Sequence, residues 1–282
     1  MRTIQELYCE GRALLKDFPQ ASIESKVLVL KVLSISEEFF YTYPNLSVSK
    51  SETLQFYDLV SKRQQGIPLA YVVGEKEFWC LPFKVVPGVL IPRPETELLV
   101  EKVIELSSRN GETVVDIGTG CGNIAVSLAR ELPEIQILAT DISLKAIQTA
   151  RQNASLHETS NIVFLKGSLF SPLEKKRRES PFDIIISNPP YVSENQWVTL
   201  QREIRFHEPK MALVSGKTGL EIIENLVSGA LNYLKRGGYL CLEIGFGQEG
   251  DVLSLFGEGW GSIGCFRDLD GIPRIITAQK SF

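Results

Sequence analysis

The stretch FDIIISNPPYVSE, residues 182–194, runs four apolar residues into Asn188, Pro189, Pro190 and Tyr191. Two successive prolines remove two N–H donors and restrict φ, which leaves carbonyl oxygens free as acceptors at a rigid place. The Asn188 side-chain oxygen and the Pro189 carbonyl can each take one hydrogen of a planar amino group, while Tyr191 packs against the group that bears it. A nitrogen conjugated to a π-system is a poor nucleophile, and no histidine or cysteine stands in the motif to deprotonate it. The chemistry that suits these residues is transfer to nitrogen by positioning. Two accepted hydrogen bonds draw electron density onto the nitrogen, hold it in line and disperse the positive charge that grows on it. Asn188, Pro189 and Tyr191 are the expected catalytic residues; the simpler reading is a strand ended by a Pro-Pro turn.

A second group lies upstream in TVVDIGTGCGNIAVSLA, residues 113–129, where Gly118, Gly120 and Gly122 form a loop between a strand and a helix. Glycines let a backbone turn tightly and approach a ligand closely. A glycine pattern by itself serves NAD as well. The spacing here is G-x-G-x-G, and Asp116 precedes it; a carboxylate there repels a pyrophosphate and suits a ligand with a cationic amino acid part. That favours S-adenosylmethionine. Asp141, at the end of the second strand in ILATDIS, is placed to accept from both ribose hydroxyls, its other possible task being to cap the next helix, which Ser143 can do instead. In FLKGSLFSPL, Ser168 is expected at the adenine amino group, with Leu169 and Phe170 as apolar neighbours; Phe170 equally suits the core.

These residues need a frame that brings them to one edge. Strands are predicted at 113–117, 135–140, 161–165, 182–187 and 238–244, separated by helical stretches such as NIAVSLAREL and SLKAIQTARQNA. Alternating strand and helix gives a parallel sheet covered on both faces, with ligands at the carboxyl ends of its strands. The tail, GSIGCFRDLDGIPRIITAQ, reads as two strands joined by a turn at Asp270 and Gly271, suited to an antiparallel edge. Before the sheet, Thr3 with Glu6 and Ser49 with Glu52 form potential capping boxes. Apolar residues recur at helical spacing, with Ile4, Leu7 and Ala13 or Leu14 in the first helix and Ile23, Val27, Leu30 and Leu33 in the second. The expected organisation is a helical domain at 1–73, a hairpin linker at 74–94 broken by Pro82, Pro87, Gly88 and Pro92, and a sheet domain at 95–282; Pro94, the last linker residue, opens a helix with Glu95 and Glu97 in its first turn.

Bulk properties narrow the function. The chain has 282 residues, 23 % charged and 44 % hydrophobic, with a formal charge of −4 and a pI near 5.5. That balance argues against a surface built to neutralise phosphates, so no direct nucleic-acid partner is expected. The basic run Lys175–Arg178 reads as a solvated loop. Five scattered cysteines, no C-x-x-C pair and only two histidines point to reduced thiols, no metal and a cytoplasmic location. No apolar run is long enough for a membrane span and no signal peptide opens the chain.

NPPY behind DIGTGCG resembles the class I amino-methyltransferases, which include DNA adenine, RNA guanine and protein glutamine enzymes. Over nearly its full length the chain is similar to the bacterial peptide-chain release factor glutamine N5-methyltransferases, the PrmC or HemK family. GIPLAYVVGEKEFW, VLIPRPETELLVE, DIGTGCGNIAVSLA, NPPYV, HEPKMALVSGKTGLEII and LEIGFGQ carry that resemblance. It implies an α/β fold: a class I, Rossmann-like S-adenosylmethionine-dependent methyltransferase domain with a small N-terminal helical bundle and a linking β-hairpin. It further implies a class 1 release factor as protein partner, methylated on the glutamine of its Gly-Gly-Gln loop, with S-adenosylhomocysteine as co-product. Carried over, Gly118, Thr119, Gly120, Cys121, Gly122 and Asp141 bind the cofactor, and Asn188 borders cofactor and substrate. Pro189, Pro190 and Tyr191 hold the glutamine amide. Arg93 and Glu95 order the entrance or form an ion pair at the domain junction, Glu208 and Pro209 are a site wall or a structural turn, and His207 is a bystander. Leu169 departs from relatives with tryptophan there. Two rival readings share the motif: a ribosomal-protein glutamine methyltransferase and a nucleic-acid amino-group methyltransferase.

Overall fold

In the computed structural model, which describes residues 2–107, 111–175 and 181–281, Thr3 and Glu6 close the first capping box. The Glu6 N–H donates to Thr3 Oγ1 at 3.2 Å and the Thr3 N–H to Glu6 Oε2 at 2.8 Å. The short strand β1 (Arg2–Thr3) thus leads directly into helix α1 (Ile4–Leu14). Its buried stripe is Ile4, Leu7 and Gly11, continued by Leu15, whereas Leu14 is exposed. A Cβ on Gly11 would sit 2.4 Å from Ser25 Oγ and 2.5 Å from the Phe56 ring, so glycine sets how closely its neighbours approach. α2 (Ala21–Leu33) buries Leu28 and Val29 and leaves Ile23 exposed.

Three more helices, α3 (Glu37–Thr42), α4 (Lys50–Gln64) and α5 (Leu69–Val73), complete this unit, and β2 (Ser47–Val48) pairs with β1. The predicted Ser49–Glu52 box opens α4. Ile4, Leu7, Leu28, Phe40, Phe56 and Val60 are its core. Arg63 lies buried beside that core, donating to both Glu24 oxygens at 2.8 and 3.0 Å and pairing with Glu203 at 2.9 Å. Glu203 belongs to the helix Arg202–His207, which clusters with the residues up to Glu75 rather than with its neighbours in the chain.

The second unit is built on a seven-stranded sheet. β3 (Glu75–Phe78) and β4 (Leu81–Lys84) form a separate hairpin whose turn residues Trp79 and Cys80 have φ of 53° and 54°. A 3-10 turn over Pro94–Thr96 follows, and α6 starts only at Glu97 (Glu97–Leu106). The strands are β5 (Thr113–Ile117), β6 (Gln136–Asp141), β7 (Ile162–Lys166), β8 (Phe182–Ser187), β9 (Leu234–Glu243), β10 (Trp260–Arg267) and β11 (Pro273–Lys280). Their spatial order is β10-β11-β9-β8-β5-β6-β7. The inner pairings from β9 to β7 are parallel, and β10 and β11 form an antiparallel edge with Gly271 at φ 77° in the turn. Helices α7 (Asn123–Glu131) and α8 (Leu144–Leu156) follow β5 and β6.

β9 begins four residues before its predicted start, because Gly237 and Gly238 are absorbed in an irregularity of the β8 pairing instead of ending the strand. Two glycines read as a break when only the sequence is known. Among the described residues no helix is long and apolar enough to cross a membrane. The basic run beyond Lys175 lies outside the described residues.

Candidate active site

The chain returns on opposite sides of β5, to β6 on one and to β8 on the other, so the sheet has its switch point between β5 and β8. Ligands of open α/β sheets bind at the carboxyl end of such a point. Register sets the details. Asp116 is level with Ile186, and Ser187 with Leu242, so the glycine loop, Asn188 and Glu243 emerge side by side. A cavity of about 300 Å³ opens there.

The loop that floors this cavity is held almost wholly by backbone geometry. The N–H groups of Gly118 and Thr119 both donate to the Thr140 carbonyl, at 2.8 and 2.9 Å, and Gly122 N–H donates to Thr119 O at 2.8 Å. Gly118 and Gly120 have φ of 78° and 58°, and a Cβ on either would meet nothing within 4 Å, leaving an open cradle above the turn. Gly122 differs: its Cβ would lie 3.0 Å from Ala150 Cβ, so it serves the packing of α8. Asp141 accepts from Gly120 N–H at 2.9 Å and from Ser143 N–H at 2.8 Å, while Ser143 caps α8.

Asn153 is a residue that sequence reasoning missed. Fully buried on α8, it donates to the carbonyls of Cys121 (2.8 Å) and Lys84 (3.0 Å) and accepts from Lys84 N–H. One amide thereby ties the glycine loop to the hairpin. An asparagine in a helical stretch carries no such signal by itself.

Asp116 lies beneath the loop with no solvent exposure, and neither carboxylate oxygen has a hydrogen-bond partner; the hydroxyls of Thr119 and Thr140 are likewise unpaired. Burial pushes the Asp116 carboxyl up to about 7, and neighbouring Asp141 adds to the rise; the Thr119 hydroxyl counters it without reaching hydrogen-bond geometry. Burial also pushes the Cys121 thiol up to about 12, so that side chain is no nucleophile.

The other wall is the NPPY segment. Asn188 Nδ2 donates to Thr96 Oγ1 at 2.9 Å, and no described residue donates to Asn188 Oδ1. Thr96 Oγ1 in turn donates to Glu243 Oε2 at 2.6 Å, and the Tyr191 hydroxyl to Glu243 Oε1 at 3.3 Å. Burial, reinforced by the Glu243 charge, holds the Tyr191 phenol well above its ordinary range, so Tyr191 is protonated at neutral pH and does not act as a base. Its main chain is clamped as well. Gln248 of LEIGFGQ donates to Tyr191 O at 3.0 Å, and a Cβ on Gly219 would be only 2.6 Å from the same oxygen.

The cavity brings together most of the sequence-assigned residues: Gly118, Thr119, Gly120, Asp141, Ser168, Leu169, Asn188, Pro189, Pro190 and Arg93 all line it. A smaller lobe of about 20 Å³ adds Tyr191 beside Asn188 and Pro189. Asp116, Cys121 and Gly122 lie behind this surface and support it. Glu95 is exposed and lines neither lobe, because the 3-10 turn directs Thr96 inward in its place. Arg93 pairs with Glu208, a buried carboxylate that also accepts from Ile91 N–H at 3.3 Å. Glu208 is thus a tie within the sheet unit, and Pro209 lines the cavity. Phe170 stacks on Tyr233 at 4.5 Å in the core. Thr96 and Glu243 went unassigned, although Glu243 ends an apolar strand as Asp141 does.

A mixed sheet of this order, with a glycine loop and a cavity at its switch point, defines a class I, Rossmann-like methyltransferase. Residues 94–216 match the family model of the methyltransferase small domain, and residues 6–74 that of the PrmC N-terminal domain. The release factor glutamine methyltransferase of Aliivibrio fischeri is 36 % identical over 279 residues, covering 99 % of this chain and 95 % of its own. That of Nitratidesulfovibrio vulgaris is 38 % identical, covering 99 % and 96 %. A methyltransferase of Pyrococcus furiosus shares the fold with a TM-score of 0.54 at 22 % identity, over 79 % of this chain and 100 % of that one. The chain belongs to the release factor glutamine methyltransferase family.

Proposed function

We propose that this chain is a cytoplasmic enzyme that methylates the side-chain amide nitrogen of the glutamine in the Gly-Gly-Gln motif of class 1 release factors, with S-adenosylmethionine as donor. When bound, that cofactor supplies an electrophilic methyl group and leaves as S-adenosylhomocysteine. Fit supports the assignment. The cradle over Gly118 and Gly120 has room for a ligand backbone, and Asp116, buried beneath the loop with both carboxyl oxygens unpaired, would ionise in response to a cationic amino acid part. Asp141 keeps lone pairs for ribose hydroxyls, and Ser168 and Leu169, which line the same cavity, are assigned to the adenine.

The observation that carries the acceptor side is the state of the Asn188 amide. One N–H of its nitrogen goes to Thr96 while its oxygen accepts from no described residue, so the site offers an acceptor to a planar amino group. Pro189, which has no N–H, offers its carbonyl beside it. Asn188 and Pro189 hold the substrate nitrogen and disperse its growing positive charge, and Tyr191 packs against the amide plane. The nitrogen's surplus proton departs with or after formation of the N–C bond. Arg93 helps to shape the entrance. In this division of labour the helical domain, residues 1–73, recognises the folded release factor and the domain at 95–282 performs the transfer, with the hairpin 74–94 between them.

The test is to incubate purified protein with S-adenosylmethionine and an unmethylated class 1 release factor, then locate added methyl mass by peptide fragmentation. A methyl group on the Gly-Gly-Gln glutamine is expected. An unmodified factor, with cofactor binding demonstrated, would overturn the substrate assignment and direct the same assay to ribosomal protein and nucleic acid.

A further inference from the structure

Four polar groups from three separate segments form one hydrogen-bonded chain behind the acceptor wall. Glu243 ends β9, Asn188 and Tyr191 follow β8, and Thr96 closes the 3-10 turn before α6. Thr96 and Glu243 are 1 % and 2 % exposed. Proton counting gives the chain a direction. An ionised carboxylate only accepts, so the one hydroxyl proton of Thr96 goes to Glu243 Oε2, 2.6 Å away. The Thr96 oxygen is then left with lone pairs alone for Asn188, 2.9 Å away. It can be approached by the N–H₂ end of that amide and not by the oxygen end.

We infer that Thr96 and Glu243 are positioning residues that set the orientation of the Asn188 amide, so that its oxygen rather than its nitrogen faces the methyl-accepting amino group. An asparagine amide is nearly symmetric in shape, and only its hydrogen-bond partners decide which end points where. Turned over, Asn188 would present two donors to an acceptor site and repel the N–H₂ it is meant to hold. The same carboxylate takes the Tyr191 hydroxyl on its other oxygen, so one buried group fixes the amide and the ring together. Its protonated form would weaken this control. Burial pushes Glu243 up to about 7, with Glu95 raising it further and Thr96, Tyr191 and Arg274 opposing the rise.

The inference rests on the acceptor role proposed for Asn188, and the test separates the two. Thr96→Val keeps the shape and removes the hydroxyl, and Thr96→Ser restores it. With release factor and S-adenosylmethionine, Thr96→Val is expected to lower kcat about 10–100-fold, the scale of a small misplacement at a reacting centre. The cofactor Kd should stay within about threefold, and Thr96→Ser should return kcat to within about threefold of wild type. In an Asn188→Ala background Thr96→Val should cost nothing further, whereas an unrelated structural role would add its own loss. Wild-type kcat in Thr96→Val, or a loss that serine does not rescue, overturns the inference.

Two measurements keep it exposed to failure in other circumstances. If valine beside a buried carboxylate prevents folding, Glu243→Gln and Glu243→Met replace it. Glutamine still accepts from Thr96 and should hold kcat within about fivefold, methionine should fall as far as Thr96→Val is expected to, and equal activity of the two would refute the idea. If the wild type modifies no release factor, the substrate reading fails on its own. The Asn188 side-chain N–H₂ resonances, identified by their loss in Asn188→Ala, still decide the inference: protection from exchange in wild type and its loss in Thr96→Val are expected, and identical exchange overturns it.

Discussion

Gly120 N–H donates to Asp141 Oδ2 at 2.9 Å, so the carboxylate that ends β6 holds the loop that ends β5. Asp141 therefore has a role before any ligand arrives. Its replacement by alanine removes both this brace and the acceptors proposed for a ribose. Hydrogen bonds to a charged group are worth about 1.5–3 kcal/mol each, so Asp141→Ala should weaken S-adenosylmethionine binding by roughly 10–100-fold. Calorimetric titration reads this directly, and an unaltered Kd would remove the residue from the cofactor site.

Asn188→Ala addresses the chemistry itself. Removing one preorganised hydrogen-bonding group at a site of developing charge costs about 10²–10³ in kcat, and the variant is expected to fall in that range. Asn188 is half-buried with one hydrogen bond from its side chain, so the fold should survive with a melting temperature near that of wild type. Single-turnover methyl transfer is the measurement. Unchanged turnover would sink the mechanism.

The protonation of Asp116 makes stability depend on pH. Burial lifts its folded-state value from 3.8 to about 7, so the folded chain binds more protons than the unfolded one between those limits. This contribution is fully present below the unfolded value and is lost as pH rises through about 7. Each tenfold change in proton affinity corresponds to about 1.4 kcal/mol, so the full loss is on the order of 4 kcal/mol. Urea denaturation of the ligand-free protein should show stability declining from pH 5 to pH 8, and Asp116→Asn should flatten part of that decline. Glu243 shifts in the same direction and keeps the rest. A slope identical in the variant would count against a buried, protonated Asp116.

Arg63 offers a test in the helical unit. It is 4 % exposed, fully engaged with Glu24, Glu203 and the Ile67 carbonyl, and stacked 4.1 Å over Phe18. Arg63→Ala would leave the Glu24 charge buried without a partner, a change that costs about 3–5 kcal/mol. Replacing both residues by apolar ones of similar volume should recover most of that loss. Urea midpoints of the single and double variants decide it; a single-variant loss below about 1 kcal/mol would mean that water reaches Glu24.

Much of this protein is determined by local pattern. The capping boxes at Thr3–Glu6 and Ser49–Glu52 are contacts three residues apart, and the strands 113–117 and 182–187 have the residues that period and punctuation assign them. The glycine spacing after Asp116, the acid at 141 and NPPY after an apolar strand mark the carboxyl edge without coordinates. Tertiary structure decided what no local pattern carries. Thr96 and Glu243 stand 147 residues apart and meet only because β9 lies beside β8 in one register and the turn at Pro94 is 3-10 rather than α-helical. That phase sends Thr96 inward and the more conspicuous Glu95 outward. In the same way Arg202–His207 cluster with the helical unit, where Glu203 pairs with the buried Arg63. A sequence records which groups are present, but their pairing depends on how far burial raises the free energy of leaving each one alone, and burial is a property of the folded chain.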